Sequence, residues 1–577
     1  MFKDNLSPLE QFQTYKDKFR EIAEKTFDEL TIASRINIED NRILCKEIQD
    51  LESENEKTTT TFGLWTLLCI LMWIVTITCI IICISKGFEN GWIIPTLCII
   101  CSVSMIILLF WKIHPIIKEY IAIMDEQEIQ IKNKKQEAWD MMDPLNKLYD
   151  WDVFFRMMTQ AIPHIKFDPY FTNQRLADFI NNYGWNENSS ENHSVIFTHS
   201  GLINGNSFVI ARTRKMKWIE KVYTGELTIE WTTIEIDSNG NKQTKRHSET
   251  LHASVSKPYP EYIEKTRLIY GNTAAPNLNF TRDVNLSKLE VGSLAYKLKL
   301  KSLENLSRDL KKDFTMAPNE EFEILFTTTD RNNEQEYFLL FTPLAQENMI
   351  KIIRDKEQGY GGDFKFMKRQ KLNTLIAKHM QDLPLDMNPQ IFWNYNYDNA
   401  KQVFLDTTCE NFRAIYFGFA PLFSIPMYQQ IRPVSAIYGT ESPYHSSYWE
   451  HESIANFHGE DKFANPACVT PCILKTIERH RENGNIEVEV RAYGHRTEHH
   501  VEYVSKRCRN GQYYNIPVHW DEYIPVMGTG DLEIQEDTID VQDNLDPVTR
   551  MEYINQKLNT FGENSIYRRH IISRIKE

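Results

Sequence analysis

Cysteine is scarce outside two apolar stretches. Only Cys45, Cys409, Cys468, Cys472 and Cys508 lie beyond them, too few to staple a large secreted region. The Asn-x-Ser/Thr triplets at Asn188, Asn192, Asn279, Asn285 and Asn305 read as chance in a chain this rich in asparagine. There is no Gly-x-Ser-x-Gly elbow, dinucleotide fingerprint or kinase signature. Basic residues are outnumbered, 65 Lys and Arg against 79 Asp and Glu. The formal net charge of −14 leaves no global electrostatic footprint for nucleic acid. Internal repeats are missing too, since the echo of Ile269-Tyr270-Gly271 in Ile437-Tyr438-Gly439 is too short to count.

Charge is wholly absent from Phe62 to Ile84 and from Trp92 to Trp111. Each run is long enough, as a helix, to cross about 30 Å of hydrocarbon. Only Ser85 to Gly91 separates them, which suits an antiparallel helical hairpin. The first run begins too late for a cleaved signal peptide. Cys69, Cys79, Cys83, Cys98 and Cys101 inside the runs read as small apolar packing residues. With no Asp, Glu, Lys, Arg or His in either run, the usual mark of an ion or proton pathway is missing. Arg42, Lys46 and Lys57 precede the first run, and Lys112, Lys118, Lys132, Lys134 and Lys135 follow the second; the connection holds only Lys86, offset by Glu89. This asymmetry predicts two spans of a plasma membrane with both termini cytoplasmic.

Charged residues at 25% and hydrophobic residues at 42% describe a folded chain, and 577 residues allow two further domains. Ser7-Pro8 marks a helix start, and Leu9, Phe12, Phe19, Ile22, Phe27 and Leu30 recur at helical spacing. Ile36 to Leu51, and Ile116 to Met142 after the second run, repeat the pattern. The simplest geometry is an antiparallel stalk, formed by residues 1–61 and 114–150 around the hairpin at 62–113. From Phe154 the pattern changes. Leu227, Ile229 and Trp231 alternate with Glu226, Thr228 and Glu230, and Asn239-Gly240 signals a hairpin. Glu321–Thr329 and Tyr337–Thr342 read as another hairpin, and Pro343 opens a helix to Arg354. Residues 154–385 thus read as one α+β unit. A second, 386–528, holds a helix over Asp398–Phe417, strands over Ile473–Arg479 and Ile486–Ala492, and a third strand at Val501–Val504. The acidic stretch Asp531 to Asp543 reads as a solvated linker before C-terminal helices within 529–577, and Asp546-Pro547 caps a closing helix there. The fold class expected is a membrane-anchored α+β protein: a transmembrane hairpin with a helical stalk, then two mixed, mainly antiparallel-sheet units.

This layout, with the stretch Gly201-Leu202-Ile203-Asn204-Gly205-Asn206 leading into the strands before Trp231, resembles uncharacterised bacterial membrane proteins that pair a transmembrane hairpin with a cytoplasmic domain of unknown function. The resemblance covers about the first half of the chain and carries over no functional residues.

The sharpest constellation is Cys468-x-x-x-Cys472 with His495-x-x-x-His499 and the adjacent His500. Two thiolates and two imidazoles make a closed tetrahedral structural zinc site, and both short spacings fit. Pro471 inside the cysteine pair argues against it. The plainer alternative makes Cys468 and Cys472 core residues and leaves the histidines on an exposed strand end. His445, His451 and His458, with Glu460 and Asp461, could instead surround a hydrolytic metal, or belong to an aromatic-rich loop packed on the core. A metalloprotease motif would need histidine at Ala455. Gly359-Tyr360-Gly361-Gly362 lacks Gly-Lys-Ser/Thr and reads as a turn, with Lys368, Arg369 and Lys371 available to the anionic leaflet. The tail residues Arg568, Arg569, His570, Arg574 and Lys576 read as a solvated helix end or a headgroup contact.

The function expected is a non-enzymatic, membrane-tethered cytoplasmic binding or scaffold protein, with membrane lipid and an unidentified protein as partners and self-association through stalk or spans. The alternatives are a membrane-bound metal-dependent hydrolase and an accessory subunit of a transport or secretion complex.

Overall fold

The computed structural model describes residues 7–86, 93–186, 192–236, 242–282, 284, 289–309, 314–430, 445–482, 484–537 and 545–576. The chain forms two compact units. One is Lys25–Asp150 with Pro389–Asp406; the other takes residues up to Glu24, Trp151–Asn388 and Thr407–Glu577. Both sheets therefore fall in one unit, where the sequence pattern had separated 154–385 from 386–528.

The first helix, α1 (Pro8–Ser34), opens on a capping box: Ser7 N donates to Glu10 Oε2 at 2.7 Å, and Glu10 N to Ser7 Oγ. It stops at Arg35, whose φ of 55° cannot continue a helix, and Asn37 caps the next one. The smaller unit is then built from α2 (Ile38–Lys86), α3 (Ile93–Leu108), a π turn (Leu109–Ile113) and α4 (His114–Asn146). Two of these helical stretches are long and apolar enough to cross a membrane, and only 6% and 17% of their most apolar windows are buried. Met72 packs on Leu109 and Ile113 within the apolar part. Below it α2 and α4 run antiparallel: Leu44 and Ile48 meet Ala138, and Lys134–Glu47 and Lys135–Glu52 pair at 2.6 Å. Residues 389–406 complete this unit, which no sequence pattern announced. Asn41 donates to Tyr395 O and accepts from Tyr397 N, while Asn146 exchanges two hydrogen bonds with Asn394.

In the larger unit, helix α5 (Val153–Ala161) leads to a seven-stranded antiparallel sheet and α6 (Asn173–Tyr183). The strands are β1 (Ile165–Phe167), β2 (His193–Ile203), β3 (Asn206–Ile236), β4 (Lys242–Gly271), β5 (Asn279–Arg282), β6 (Phe364–Arg369) and β7 (Leu372–Ala377), in the order β1-β2-β3-β4-β7-β6-β5. Helices α7 (Leu294–Arg308), α8 (Glu320–Phe326), α9 (Glu334–Leu340) and α10 (Pro343–Arg354) follow β5. After β7 come α11 (Tyr397–Phe423), whose first turns belong to the smaller unit, and α12 (Tyr448–His458). The second sheet holds β8 (Ile473–Glu482), β9 (Asn485–Arg507), β10 (Tyr513–Glu536), β11 (Ile566–Arg568) and β12 (Ile571–Lys576), ordered β11-β12-β10-β9-β8, with α13 (Pro547–Phe561) before β11.

Two features tie the sheets together. The outer halves of the long β3–β4 and β9–β10 hairpins pack through Leu227, Ile229, Leu251, Ala253, Ile516 and Val518. They approach so closely that a Cβ on Gly225 would lie 2.1 Å from Pro517 O. Helix α12 is the other tie, buried from Trp449 to Ala455, with Trp449, Ile454 and Ala455 in the apolar core. Glu450, His451, Glu452 and Ser453 are all buried. Glu452 accepts from Val195 N of β2 and from Lys475 Nζ of β8, whose charge matches its own, and Glu450 accepts from Phe171 N.

Several expectations need correction. Most of Glu321–Thr329 and Tyr337–Thr342 is helical, up to Phe326 and Leu340, and not a hairpin, because Asn319 and Asn333 cap α8 and α9 and both helices bury aromatic residues. Val501–Val504 is no separate strand but the middle of β9, paired to β10 from Asn485 to Arg507. The acidic stretch starts inside β10, where Leu532 and Ile534 are core residues alternating with the acids; residues 538–544 lie outside the described residues. The helix expected after Asp546 is α13, and β11 and β12 follow it where a further helix was expected. Lys368 is fully buried, its amine on Ala274 O, and so cannot reach a lipid surface. The Asn239-Gly240 turn also lies outside the described residues, although β3 and β4 pair up to Ile236↔Lys242.

Candidate functional site

Arg568-Arg569-His570 is the tail segment that the sequence places in solvent, and all three residues are buried. The reason is a two-residue connection: Arg568 pairs with Ile571 across β11 and β12, leaving Arg569 and His570 as the turn. Both adopt left-handed backbone, φ 46° and 61°, where such hairpins ordinarily place Asn-Gly. A non-glycine residue held there costs about 1–3 kcal/mol. The turn is kept because its side chains are locked in. Arg569 Nη1 donates to Thr198 O at 3.0 Å and Nη2 to Asp168 O at 2.7 Å, and its guanidinium stacks over Phe155. Arg568 donates to Ser453 Oγ of α12 and lies against the edge-on pair Trp151 and Phe457. Burial lowers the pKa of Arg568.

The turn opens on a cavity of about 400 Å³, walled by α5 and by β1 with the two residues after it. Phe155 and Phe167 form an apolar side; Arg156, Lys166, Arg569 and His570 bring positive or protonatable groups. Asp152 stands at the N-cap of α5 without capping it, and instead faces Arg569 Nε at 3.7 Å and His570 Nε2 at 3.5 Å. Asp168 is held by Arg175 through two bonds of 2.9 and 2.7 Å, and by Ser200. With one carboxylate neutralised by an arginine outside the lining, the cavity carries an excess of positive charge. His570 Nδ1 and Arg569 Nε have no hydrogen-bond partner, in a residue 4% and a residue 1% exposed. Behind Phe155 lies His199, fully buried, whose pKa is held well below the ordinary value by burial and then by the Arg569 and Arg568 charges. An excess of positive charge around an aromatic wall fits an anionic ligand with an apolar body.

The residues singled out from the sequence are distributed differently. Cys468 and Cys472 do come together, Sγ to Sγ 3.6 Å. The His495 backbone is bonded to the same loop, its O accepting from Val469 N and its N donating to Thr470 Oγ1. Its Nδ1 lies 3.0 Å from Tyr262 Oη, the hydroxyl that also bonds Thr470 Oγ1, so the ring shares a network with the cysteine loop without completing a cluster of three ligand atoms among the described residues. His499 stands four residues along the strand, about 13 Å away, bonded to Asp521 and His519. The four do not converge. Among the described residues, three ligand atoms approach within 4.8 Å at Glu498, His500 and Glu522, on the exposed β9–β10 ribbon. Of His445, His451 and His458, the first two are joined in one network, His445 through Glu536 and His451 through Ser446, which also bonds Glu536, while His458 bonds Ser573. Ser446 donates its hydroxyl hydrogen to Glu536 at 2.6 Å, so His451 Nε2 carries a proton toward Ser446 and is not poised as its base. Burial holds the pKa of His451 down to about 4.

No protein-family model, curated protein or solved structure matches the chain. Its function is therefore argued from its own geometry. The Arg569–His570 cavity was missed in the sequence because Arg-His carries none of the usual turn chemistry. The signal was the apolar pairs on either side, Ile566-Tyr567 and Ile571-Ile572, which mark two short strands rather than a solvated helix end.

Proposed function

We propose that the chain is a membrane-tethered binding protein that takes a small anion with an apolar body, such as an aromatic carboxylate, into the cavity beside Arg569 and His570. The observation that carries this reading is the strained, buried cationic turn lining a cavity with an aromatic wall. Binding is favoured over catalysis because both lining carboxylates already face cations and are not available as bases. The tether is supported by the two charge-free stretches within these helices, and the basic residues flanking them favour the cytoplasmic face of a plasma membrane.

The test is a titration of the full-length protein in lipid nanodiscs with benzoate, inorganic phosphate and neutral benzamide. Benzoate should raise the unfolding temperature in a saturable way while benzamide does not. Lys166 is exposed at the rim and makes no ion pair among the described residues, so Lys166→Gln should leave the fold intact. Losing one charge-assisted hydrogen bond should weaken benzoate about tenfold. If neither anion stabilises the wild-type protein, the cavity is not an anion site and the reading fails.

A further inference from the structure

A second locus, separate from the cavity, lies where the loop before β8 crosses β9. The Cys468 and Cys472 sulfurs sit 3.6 Å apart there, and three contacts hold the loop that carries them. Val469 N donates to His495 O at 2.9 Å, His495 N donates to Thr470 Oγ1 at 2.9 Å, and Cys472 N donates to Glu460 Oε2 at 2.9 Å. Tyr262 Oη adds a bond to Thr470 Oγ1 from β4.

The seat for the sulfurs is a missing side chain. A Cβ on Gly494 would stand 2.3 Å from Cys468 Sγ and 3.0 Å from Cys472 Sγ, so only glycine lets the pair lie against the strand. The two thiols differ in access: Cys472 is 2% exposed, whereas Cys468 is partly exposed. A third metal ligand is not within reach among the described residues, because His495 and His499 turn to other partners. What remains is a pinned dithiol with one accessible and one shielded sulfur.

We infer that Cys468 and Cys472 form a reversible dithiol–disulfide site, with Cys468 as the thiol first attacked by a peroxide and Cys472 as the resolving thiol. In the first step the Cys468 thiolate attacks one peroxide oxygen; the O–O bond breaks, hydroxide leaves, and the sulfur becomes a sulfenic acid. The Cys472 thiol then attacks that sulfur, the S–O bond breaks, and a second oxygen leaves as water with the thiol proton. Two thiols and one hydrogen peroxide thus yield one disulfide and two waters, and a dithiol reductant reverses the change. The sulfurs need to approach by about 1.5 Å to reach bonding distance, which rotation of the partly exposed Cys468 side chain supplies. Oxidation closes a five-residue ring and fixes the loop against β9.

The experiment uses the full-length protein in nanodiscs, treated with hydrogen peroxide and read by differential thiol alkylation and peptide mass spectrometry. The expected result is loss of the Cys468 and Cys472 thiols together, a cross-linked peptide lighter by two hydrogens, and full recovery with dithiothreitol. Cys508, buried and bonded to Glu249, should stay reduced as an internal control. Cys472→Ser should instead accumulate a sulfenic acid at Cys468, trapped by dimedone, at a level at least tenfold above wild type. The proposal is overturned if both thiols survive peroxide that oxidises exposed methionines, if Cys468 joins another cysteine, or if wild-type Cys468 proceeds to sulfinic acid with Cys472 still reduced.

Discussion

Acid should weaken the larger unit through His451, and the size of the effect follows from its burial. The ring is 2% exposed and neutral, donating to Ser446, with a folded pKa of about 4 against the ordinary 6.5. A depressed histidine pKa means that the unfolded chain takes up the proton first. Stability is therefore intact above pH 6.5, falls as the pH drops below it, and stops falling near pH 4, where the folded form also protonates. At pH 5 the difference amounts to about 2 kcal/mol from this residue. His379 and His458, both also near 4, push in the same direction, while buried Glu452, whose pKa is raised, opposes them. The total slope thus mixes several groups, and a difference measurement isolates one. His451→Gln keeps a donor for Ser446 and removes the titration. Urea unfolding of wild type and variant in the same detergent, followed by tryptophan fluorescence at pH 7 and pH 5, should show the variant losing about 2 kcal/mol less. Parallel profiles between those pH values would refute the reasoning.

Three further outcomes are expected. Arg331→Met leaves Glu323 buried without its partner, both side chains being 0% exposed, so urea unfolding should show a loss of about 3–5 kcal/mol; adding Glu323→Leu should restore most of it, and no recovery would mean that the pair is not the cause. Phe19→Ala breaks a ring stack at 4.3 Å with Phe412 and should cost about 3–5 kcal/mol; for the same reason residues 150–577 alone, lacking α1, should self-associate in size-exclusion chromatography, and a monodisperse monomer would contradict this. For topology, a cysteine at Asn90 should react with an impermeant reagent in intact cells, while one at Glu482, whose side chain is 71% exposed, should react only after lysis; the opposite pattern reverses the orientation.

Periodic signals survived folding where local chemistry and burial agreed. Ser7 and Pro8 open α1, the Leu227–Trp231 alternation is β3, and Asp546 caps α13. The failures came where long-range partners override local pattern. Tyr337 looks like a strand residue, yet it is fully buried in a helix whose hydroxyl accepts from Thr328. Leu532 and Ile534 are hidden among carboxylates, and only pairing with β9 and β12 shows that they are core. The candidate cavity was the least legible part. Its residues come from α5, β1 and the last hairpin, more than 400 positions apart in the case of the Arg569–Asp168 bond, and no local spacing records such a meeting. The cysteine pair was legible as proximity, because four residues of separation bring the thiols together, but not its lack of further ligands, which depends on the partners that His495 and His499 take.

The crossing of the two long hairpins at Gly225 and Pro517 also bears on how the chain is made. During synthesis the apolar helices leave the ribosome first, and β3 and β4 follow with Leu227, Ile229, Trp231 and Leu251 uncovered. The residues that cover this stripe, Ile516 and Val518, emerge more than two hundred positions later. Until then the nascent chain exposes a β-rich apolar surface beside a membrane-length hairpin, a state prone to pairing with other chains. Its yield on expression should therefore respond to translation rate more than to the final stability of the protein.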